Sequence, residues 1–104
     1  GQRYMDIQEV EQNIDIAVKL LKCFSNKYRL QVLCALYKGE KNVSELEAIV
    51  GLSQSALSQH LARLRKDGIV KTRRDSQTIY YSLSDDSESE SVLKCLYEIY
   101  CSDD

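Results

Sequence analysis

The sequence predicts a small, mainly α-helical domain that carries one β-hairpin. Apolar residues recur every three or four positions along most of its 104 residues, which is the spacing of amphipathic helices. Proline is absent and glycine occurs only four times, so few positions interrupt a helix. Two short runs rich in β-branched and aromatic residues flank Asp75-Ser76-Gln77, the pattern of a hairpin. We expect about five helices and two strands in one domain spanning residues 1–104.

The first three helices are bounded by their apolar stripes and capping residues. The first covers residues 7–24, where the apolar side chains form a single stripe. Asn26 is suited to cap a second helix that continues through Tyr37. Ser44 and Glu47 have the spacing of a capping box and predict the start of a short third helix.

A fourth helix and the hairpin follow. Ser53 or Ser55 caps the fourth helix, which Gly68 ends. Strands are expected at residues 69–74 and 78–83. Alternate side chains of the second strand are expected to face inward, namely Ile79, Tyr81 and Leu83.

Residues 44–66 followed by residues 69–83 have the order of a helix-turn-helix followed by a wing. In that arrangement one helix enters the DNA major groove and the hairpin lies beside it. The fourth helix has the two faces required, because Leu57, Leu61 and Leu64 form one stripe and polar side chains cover the other side. The sequence therefore predicts a winged helix-turn-helix that binds double-stranded DNA sequence-specifically.

The polar side of the fourth helix carries side chains that can read DNA. Glutamine pairs with adenine, arginine reaches guanine or phosphate, and serine both donates and accepts hydrogen bonds. The only histidine, His60, is expected at the edge of the leucine stripe as a packing residue or phosphate contact. The predicted DNA-binding residues are Ser53, Gln54, Ser55, Ser58, Gln59, His60 and Arg63 on the helix, with Arg73, Arg74 and Gln77 on the wing.

The distribution of charge is more informative than its total. The net charge is −2, but residues 60–75 contain six basic and two acidic side chains, whereas residues 85–104 contain seven acidic side chains and one lysine. Attraction to phosphate acts over a Debye length of about 10 Å. The basic segment is therefore expected to face DNA and the acidic segment to face away from it.

Several classes of protein are disfavoured. One histidine, no glycine-rich phosphate loop and no paired carboxylates in an apolar setting leave no catalytic constellation. The apolar runs are too short for a membrane span or a signal-peptide core. We expect a cytoplasmic, non-enzymatic protein without a cofactor. Its four cysteines are expected to be free, metal-binding or redox-active rather than structural disulfides.

The motifs CFSNKYRLQVLCAL, VSEL, GLSQSALSQHLARLRKDGIV and RRDSQTIYYSL resemble those of the ArsR/SmtB family of winged-helix repressors. The resemblance covers residues 14–101. Within the family, SQSALSQHL, RRDSQTIYY and the cysteine in QVLCAL are most similar to the sulfide- and persulfide-responsive branch, the SqrR, BigR and HlyU type.

The resemblance implies a homodimer built from the first and last helices, residues 7–24 and 92–101. The sequence supports this independently, since two amphipathic terminal helices offer more apolar surface than one small domain covers. Such a dimer is expected to bind an inverted repeat with half-sites about one helical turn apart.

The resemblance also implies a sensing site. Sulfide-responsive members pair a cysteine on the second helix with one near the end of the last, and Cys34 and Cys101 match those positions. The metal sites common in the family are unmatched, because the third helix lacks cysteine and the last lacks histidine. The expected inducer is a reactive sulfur species or another thiol-reactive agent that links the two thiols and releases the DNA.

Two alternatives remain open. Cys23, expected on the polar face of the first helix, and Cys95, expected beside the last apolar stripe, are interpreted as incidental. In the first alternative, Cys95, Cys101 and a further cysteine bind a thiophilic metal or metalloid. In the second, the domain is a winged-helix protein-interaction module without a sensing role.

Overall fold

The computed structural model describes residues 7–85 and 87–101, and the predicted winged helix-turn-helix is confirmed. The described helices are α1 (Ile7–Gln12), α2 (Ile14–Phe24), α3 (Lys27–Tyr37), α4 (Val43–Val50), α5 (Gln54–Lys66) and α6 (Ser87–Tyr100). The described strands are β1 (Lys41–Asn42), β2 (Val70–Asp75) and β3 (Thr78–Leu83). Among the described helices, none has the length and apolar character that a membrane crossing requires.

The helix predicted over residues 7–24 is interrupted at Asn13. The backbone N–H of Asn13 donates to the carbonyl of Val10 at 3.1 Å instead of continuing the α-helical pattern. Its side-chain Nδ2 donates to the carbonyl of Glu9 at 2.9 Å. In an unbroken helix this carbonyl would accept from the backbone N–H of Asn13 instead. The single predicted helix is therefore two helices, α1 and α2.

The predicted cap of the second helix is confirmed. Asn26 Oδ1 accepts hydrogen bonds from the backbone N–H groups of Tyr28 at 2.9 Å and Arg29 at 3.1 Å. Arg29 also joins α3 to the end of α2, since its Nε donates to the carbonyl of Cys23 at 2.8 Å and its Nη2 to that of Lys22 at 3.1 Å. The junction between the two helices is thus held by charge-assisted bonds to two carbonyls at the end of α2, and that of Lys22 also accepts from Ser25.

The capping box predicted at Ser44 and Glu47 was wrong by two residues. Asn42 Oδ1 accepts from the N–H of Glu45 at 2.9 Å, and Glu45 Oε1 accepts from the N–H of Asn42 at 2.9 Å. Asn42 is available as a cap because it is extended, paired with Tyr80 as part of β1. A strand of two residues has no periodicity that could have predicted it.

The sheet is antiparallel, with the strand order β1-β3-β2. Asp75 pairs with Thr78, so the hairpin turn is formed by Ser76 and Gln77, and Ser76 has a positive φ of 58°. Tyr81 and Leu83 are half-buried as expected, but Ile79 is exposed, which corrects the prediction that it faces inward. Ile79 lies near the tip of the hairpin, beyond the part that packs on the helices.

The core lies beneath α5, between the wing and α3. The predicted leucine stripe of α5 is buried, together with side chains from α3, α4 and α6. These residues are Leu57, Leu61 and Leu64 on α5, with Val32, Leu33, Leu36, Leu46 and Leu93 from the other helices. Cys23 is fully buried among them, which corrects its prediction as a polar-face residue. α5 is therefore held rigidly, with its opposite side facing outward.

Candidate nucleic-acid interface and thiol pair

The outward side of α5 is a continuous polar surface. Ser53 is its N-cap, with Oγ accepting from the N–H of Ala56 at 3.3 Å, so Ser53 rather than Ser55 fills this role. Ser55 remains close, with 3.4 Å between the two hydroxyl oxygens. Ser58 and Gln59 are exposed one turn further along. These side chains are therefore free to contact a base edge or a phosphate.

His60 lies at the edge of this surface. Its ring is half-buried and packs against Tyr28 of α3, with the ring centroids 5.8 Å apart and the planes tilted by 34°. The boundary position expected from the leucine stripe is therefore observed. The contact also fixes the middle of α5 against α3.

Arg63 is positioned by a carboxylate that the sequence analysis missed. Its Nε lies 2.8 Å from Oδ2 of Asp67, one turn later on the same side of the chain. The hydrogen bond from Arg63 lowers the pKa of Asp67, and the Cys23 thiol lies close enough to Asp67 to affect it as well. The spacing of four residues between opposite charges was the available signal.

The wing arginines differ in what they contact. Arg73 is held by Glu40 through two bonds, Nε to Oε2 at 2.8 Å and Nη2 to Oε1 at 2.7 Å, and its guanidinium lies 4.4 Å from the centre of the Tyr80 ring. Arg74 and Gln77 are exposed and make no hydrogen bond or ion pair with residues 7–85 and 87–101. Arg73 is therefore already paired in the free protein, and the prediction that Arg73, Arg74 and Gln77 contact the DNA backbone stays a prediction.

A groove of about 340 Å³ separates the wing from the start of α4 and α5. It brings Gln54 of α5 together with Gln77 of the hairpin turn, two residues predicted for DNA binding. Ser44 and Thr78 line the same groove and were not predicted. Neither has a distinctive neighbour in the sequence, so only the tertiary structure identifies them as candidate phosphate contacts.

The four cysteines are free thiols in different environments. Cys34 on α3 is half-buried, Cys101 just after α6 is exposed, Cys95 is exposed, and Cys23 is buried. Burial raises the pKa of Cys23, and the carboxylate of Asp67 raises it further. An interior thiol beside a carboxylate is a weak nucleophile, so Cys23 is a structural residue.

A pair of stacked tyrosines joins α3, which carries Cys34, to α6, which Cys101 follows. Tyr37 and Tyr97 stack with centroids 5.2 Å apart and an interplanar angle of 26°, joining α3 to α6. The N–H of Cys101 donates to the carbonyl of Tyr97 at 2.8 Å, so Cys101 continues the turn of α6. Burial raises the pKa of Cys34, the negative charge of a Cys101 thiolate raises it further, and Lys38 lowers it. The two thiols therefore lie within electrostatic reach of each other.

A thiolate metal site receives no support from the described residues. In the described ranges, no group of three or more histidine, cysteine, aspartate or glutamate side chains is arranged to hold a metal ion. The set proposed as an alternative, Cys95 and Cys101 with a third cysteine, is not assembled there.

Comparison with known proteins agrees with the observed winged helix-turn-helix. Residues 26–72 match the family model described as bacterial regulatory protein, arsR family. The chain is 50% identical over 97 residues to the transcriptional activator HlyU of Vibrio cholerae serotype O1, covering 93% of this chain and 89% of the relative. It is 38% identical over 98 residues to the biofilm growth-associated repressor of Xylella fastidiosa, covering 94% and 85%.

Solved structures show the same similarity. Reduced HlyU from Vibrio cholerae superposes with a TM-score of 0.85 at 49% identity, covering 91% of this chain and 99% of that one. The transcriptional repressor BigR from Xylella fastidiosa superposes with a TM-score of 0.87 at 38% identity, covering 94% and 99%. The likeness extends over the whole described fold and not only over the helix-turn-helix.

Proposed function

From the premise that this chain belongs to the arsR family of bacterial regulatory proteins and is a DNA-binding transcriptional regulator, we propose that it is a homodimeric repressor with a dithiol switch. Its operator is an inverted repeat. The switch is the pair Cys34 and Cys101 of one subunit, and the inducer is a persulfide or polysulfide that links them.

The observation that carries the proposal is the tyrosine stack between α3 and α6. Cys34 precedes Tyr37 by about one turn, and Cys101 follows Tyr97 by about one turn. Each thiol therefore lies about one helical turn from the same aromatic contact. The electrostatic coupling between the thiols supports this arrangement.

The linking reaction needs only the two thiols and a sulfane-sulfur donor. The Cys34 thiolate attacks a sulfur of a polysulfide, one S–S bond of the donor breaks, and a shorter sulfide anion leaves. The Cys101 thiolate then attacks the chain carried by Cys34 and expels hydrosulfide. The two thiols lose two electrons and two protons, which the departing sulfide receives. A direct disulfide requires α-carbons within about 7 Å, whereas inserted sulfur atoms extend the reach.

The link would act on DNA through α3. This helix packs against the reading helix α5 on one side and against α6 on another. Fixing α3 to α6 changes the position of α5 relative to the dimer axis, and the separation of two such helices must match the half-sites. A coupling of about 1–3 kcal/mol would weaken operator binding about 5–150-fold.

Dimerisation is proposed through the apolar surface of α1, α2 and α6. Ile16, Leu21 and Ile99 have exposed fractions of 60%, 57% and 62%, and Tyr100 has 79%. A concentration of large exposed apolar side chains on a few helices is characteristic of a protein interface. The predicted interface segments, residues 7–24 and 92–100, carry most of it.

Ile16→Glu is expected to shift the protein from dimer to monomer at micromolar concentration, because it places a charge in the apolar interface. Sedimentation velocity measures the change. Ala48→Glu adds the same charge at an exposed position of α4 and should remain dimeric. Wild-type protein that sediments as a monomer at this concentration contradicts the proposed interface.

The function is tested by operator binding with and without polysulfide. Fluorescence anisotropy should show tight binding to an inverted repeat, and about 5–150-fold weaker binding after treatment. Intact mass measured on the same sample should show sulfur added and two thiol protons lost. The named relatives include both an activator and a repressor, so a promoter reporter determines the direction of regulation. Linked thiols without loss of affinity would contradict the switch.

A further inference from the structure

A groove of about 520 Å³ opens beside Cys34. Its walls are mainly apolar, with Leu30 and Ile49 among them, and the Tyr97 ring of the stacked pair closes one side. Volumes of about 300–1,000 Å³ are typical of small-molecule sites. A polysulfide of a few sulfur atoms would fill only a small part of it.

The charged residues that line this groove within residues 7–85 and 87–101 all have the same sign. In those ranges Lys27, Lys38 and Lys41 belong to the lining, and no acidic residue does. Lys38 is exposed and acts electrostatically on the Cys34 thiol. Lys41 is half-buried, with Nζ donating to the carbonyl of Gly39 at 3.2 Å. The groove therefore favours an anion that carries more than one negative charge.

The same groove has an unsatisfied hydrogen-bond acceptor. Gln31 belongs to the lining, and its buried Oε1 accepts no hydrogen bond in the part of the chain that the structure describes. An unpaired buried acceptor is unfavourable unless a donor arrives. An N–H group on a bound molecule would supply that donor, and inorganic polysulfide has none.

The geometry points to this groove as a docking site for an anionic, peptide-like organic persulfide, whose carboxylates contact the lysines and whose N–H contacts Gln31. The inference rests on the proposed role of Cys34 as the reacting thiol. The Cys34 thiolate attacks the outer sulfur of the donor R–S–SH, the donor S–S bond breaks, and the thiolate RS⁻ leaves. Cys34 becomes a persulfide, which attacks the outer sulfur of a second donor and expels a second RS⁻, leaving Cys34–S–S–SH. Cys101 then attacks the middle sulfur of this chain, expels hydrosulfide and leaves a trisulfide link.

Binding is tested first without reaction or mutation. S-Methylglutathione has the carboxylates and amides of such a donor but no reactive sulfur. It should protect Cys34 from iodoacetamide at concentrations of about 1–10 mM, as peptide mass spectrometry measures. Exposed Cys95 in the same sample is the internal control and should not be protected. Equal alkylation of Cys34 with and without the analogue overturns the docking site.

Selectivity is tested by the rate of Cys34 modification with glutathione persulfide, cationic cysteamine persulfide and inorganic tetrasulfide. Both donors react with the same thiol, so any effect of Lys38 on the reactivity of Cys34 cancels in the ratio of the first two rates. Lys38→Gln and Lys41→Gln should each lower that ratio about 5-fold. Gln31→Met should lower only the rate at which glutathione persulfide modifies Cys34. Lys94→Gln, which removes an exposed charge of α6 outside the groove, should leave the ratio unchanged.

The outcomes test the docking groove and the dithiol switch separately, because these rates are measured without DNA. A rate ratio that is unaffected by the lysine variants overturns the groove, even if polysulfide still releases the operator. A lowered ratio supports the groove, even if operator binding proves insensitive to modification. In that second case only the proposed switch fails.

Discussion

A Cys34→Ser protein is expected to bind its operator within about threefold of the wild-type affinity and to remain bound in excess polysulfide. The change removes the half-buried thiol on α3 while leaving the exposed polar side of α5 intact. Cys101→Ser is expected to behave in the same way, because a link needs both sulfur atoms. Operator anisotropy with and without polysulfide measures both variants.

The matched control for these variants is Cys95→Ser. Cys95 is an exposed thiol on α6 that takes no part in the proposed pair, so its replacement should leave the full response. Cys23 is less suitable as a control, because it is buried beside Asp67 and a hydroxyl there alters the core. A Cys34→Ser protein that polysulfide still releases would show that the switch lies elsewhere.

The rate of Cys34 modification is expected to keep rising at pH values above the pKa of an ordinary cysteine. Burial raises the pKa of Cys34, and the reacting species is the thiolate, whose fraction grows as pH approaches that pKa. A plateau at or below neutral pH would contradict the assigned environment.

Gln59→Ala is expected to weaken the free energy of binding to the cognate operator by about 1–3 kcal/mol, because the exposed amide of Gln59 can pair with a base edge. Binding to unrelated DNA should change little. Arg74→Ala should instead weaken all sequences alike and lower the slope of log affinity against log salt by about 0.9. Titrations on both kinds of DNA at several salt concentrations separate the two effects.

Arg73→Ala should lower the salt slope by less than Arg74→Ala, since Glu40 already neutralises Arg73 through two bonds. Lys94→Ala removes the same charge from α6, away from the wing, and should leave the slope unchanged. Equal slopes for the Arg73 and Arg74 variants would contradict the distinction between a paired and a free arginine. Full affinity for Gln59→Ala would show that another face of α5 reads the bases.

Much of the fold follows from local pattern. The leucine stripe of α5 and the cap at Asn26 depend on residues within one or two turns, and both are confirmed. The interruption at Asn13 was not predicted, because the stripe continues across it and only the side-chain hydrogen bond breaks the helix. The cap at Asn42 depends on its pairing with Tyr80, which no local pattern contains.

The candidate site likewise has features that follow from local sequence pattern and features that depend on contacts between distant segments. The exposed face of α5 follows from helical periodicity alone. The engagement of Arg73 joins residues 33 positions apart, and the burial of Cys23 depends on how α2 packs against Asp67. The tyrosine stack connects α3 with α6, and neither ring has a local signal for its partner. Contacts between distant segments therefore define the parts of the site that the sequence analysis missed.

The bond between Arg73 and Glu40 has an evolutionary consequence. Because Glu40 lies just after α3, this ion pair connects the wing to the end of α3 and not to the exposed side of α5. Substitutions on that exposed side can alter the preferred operator without disturbing either the wing or the thiol pair. Evolution of a new operator preference through substitutions on α5 can therefore leave this ion pair intact.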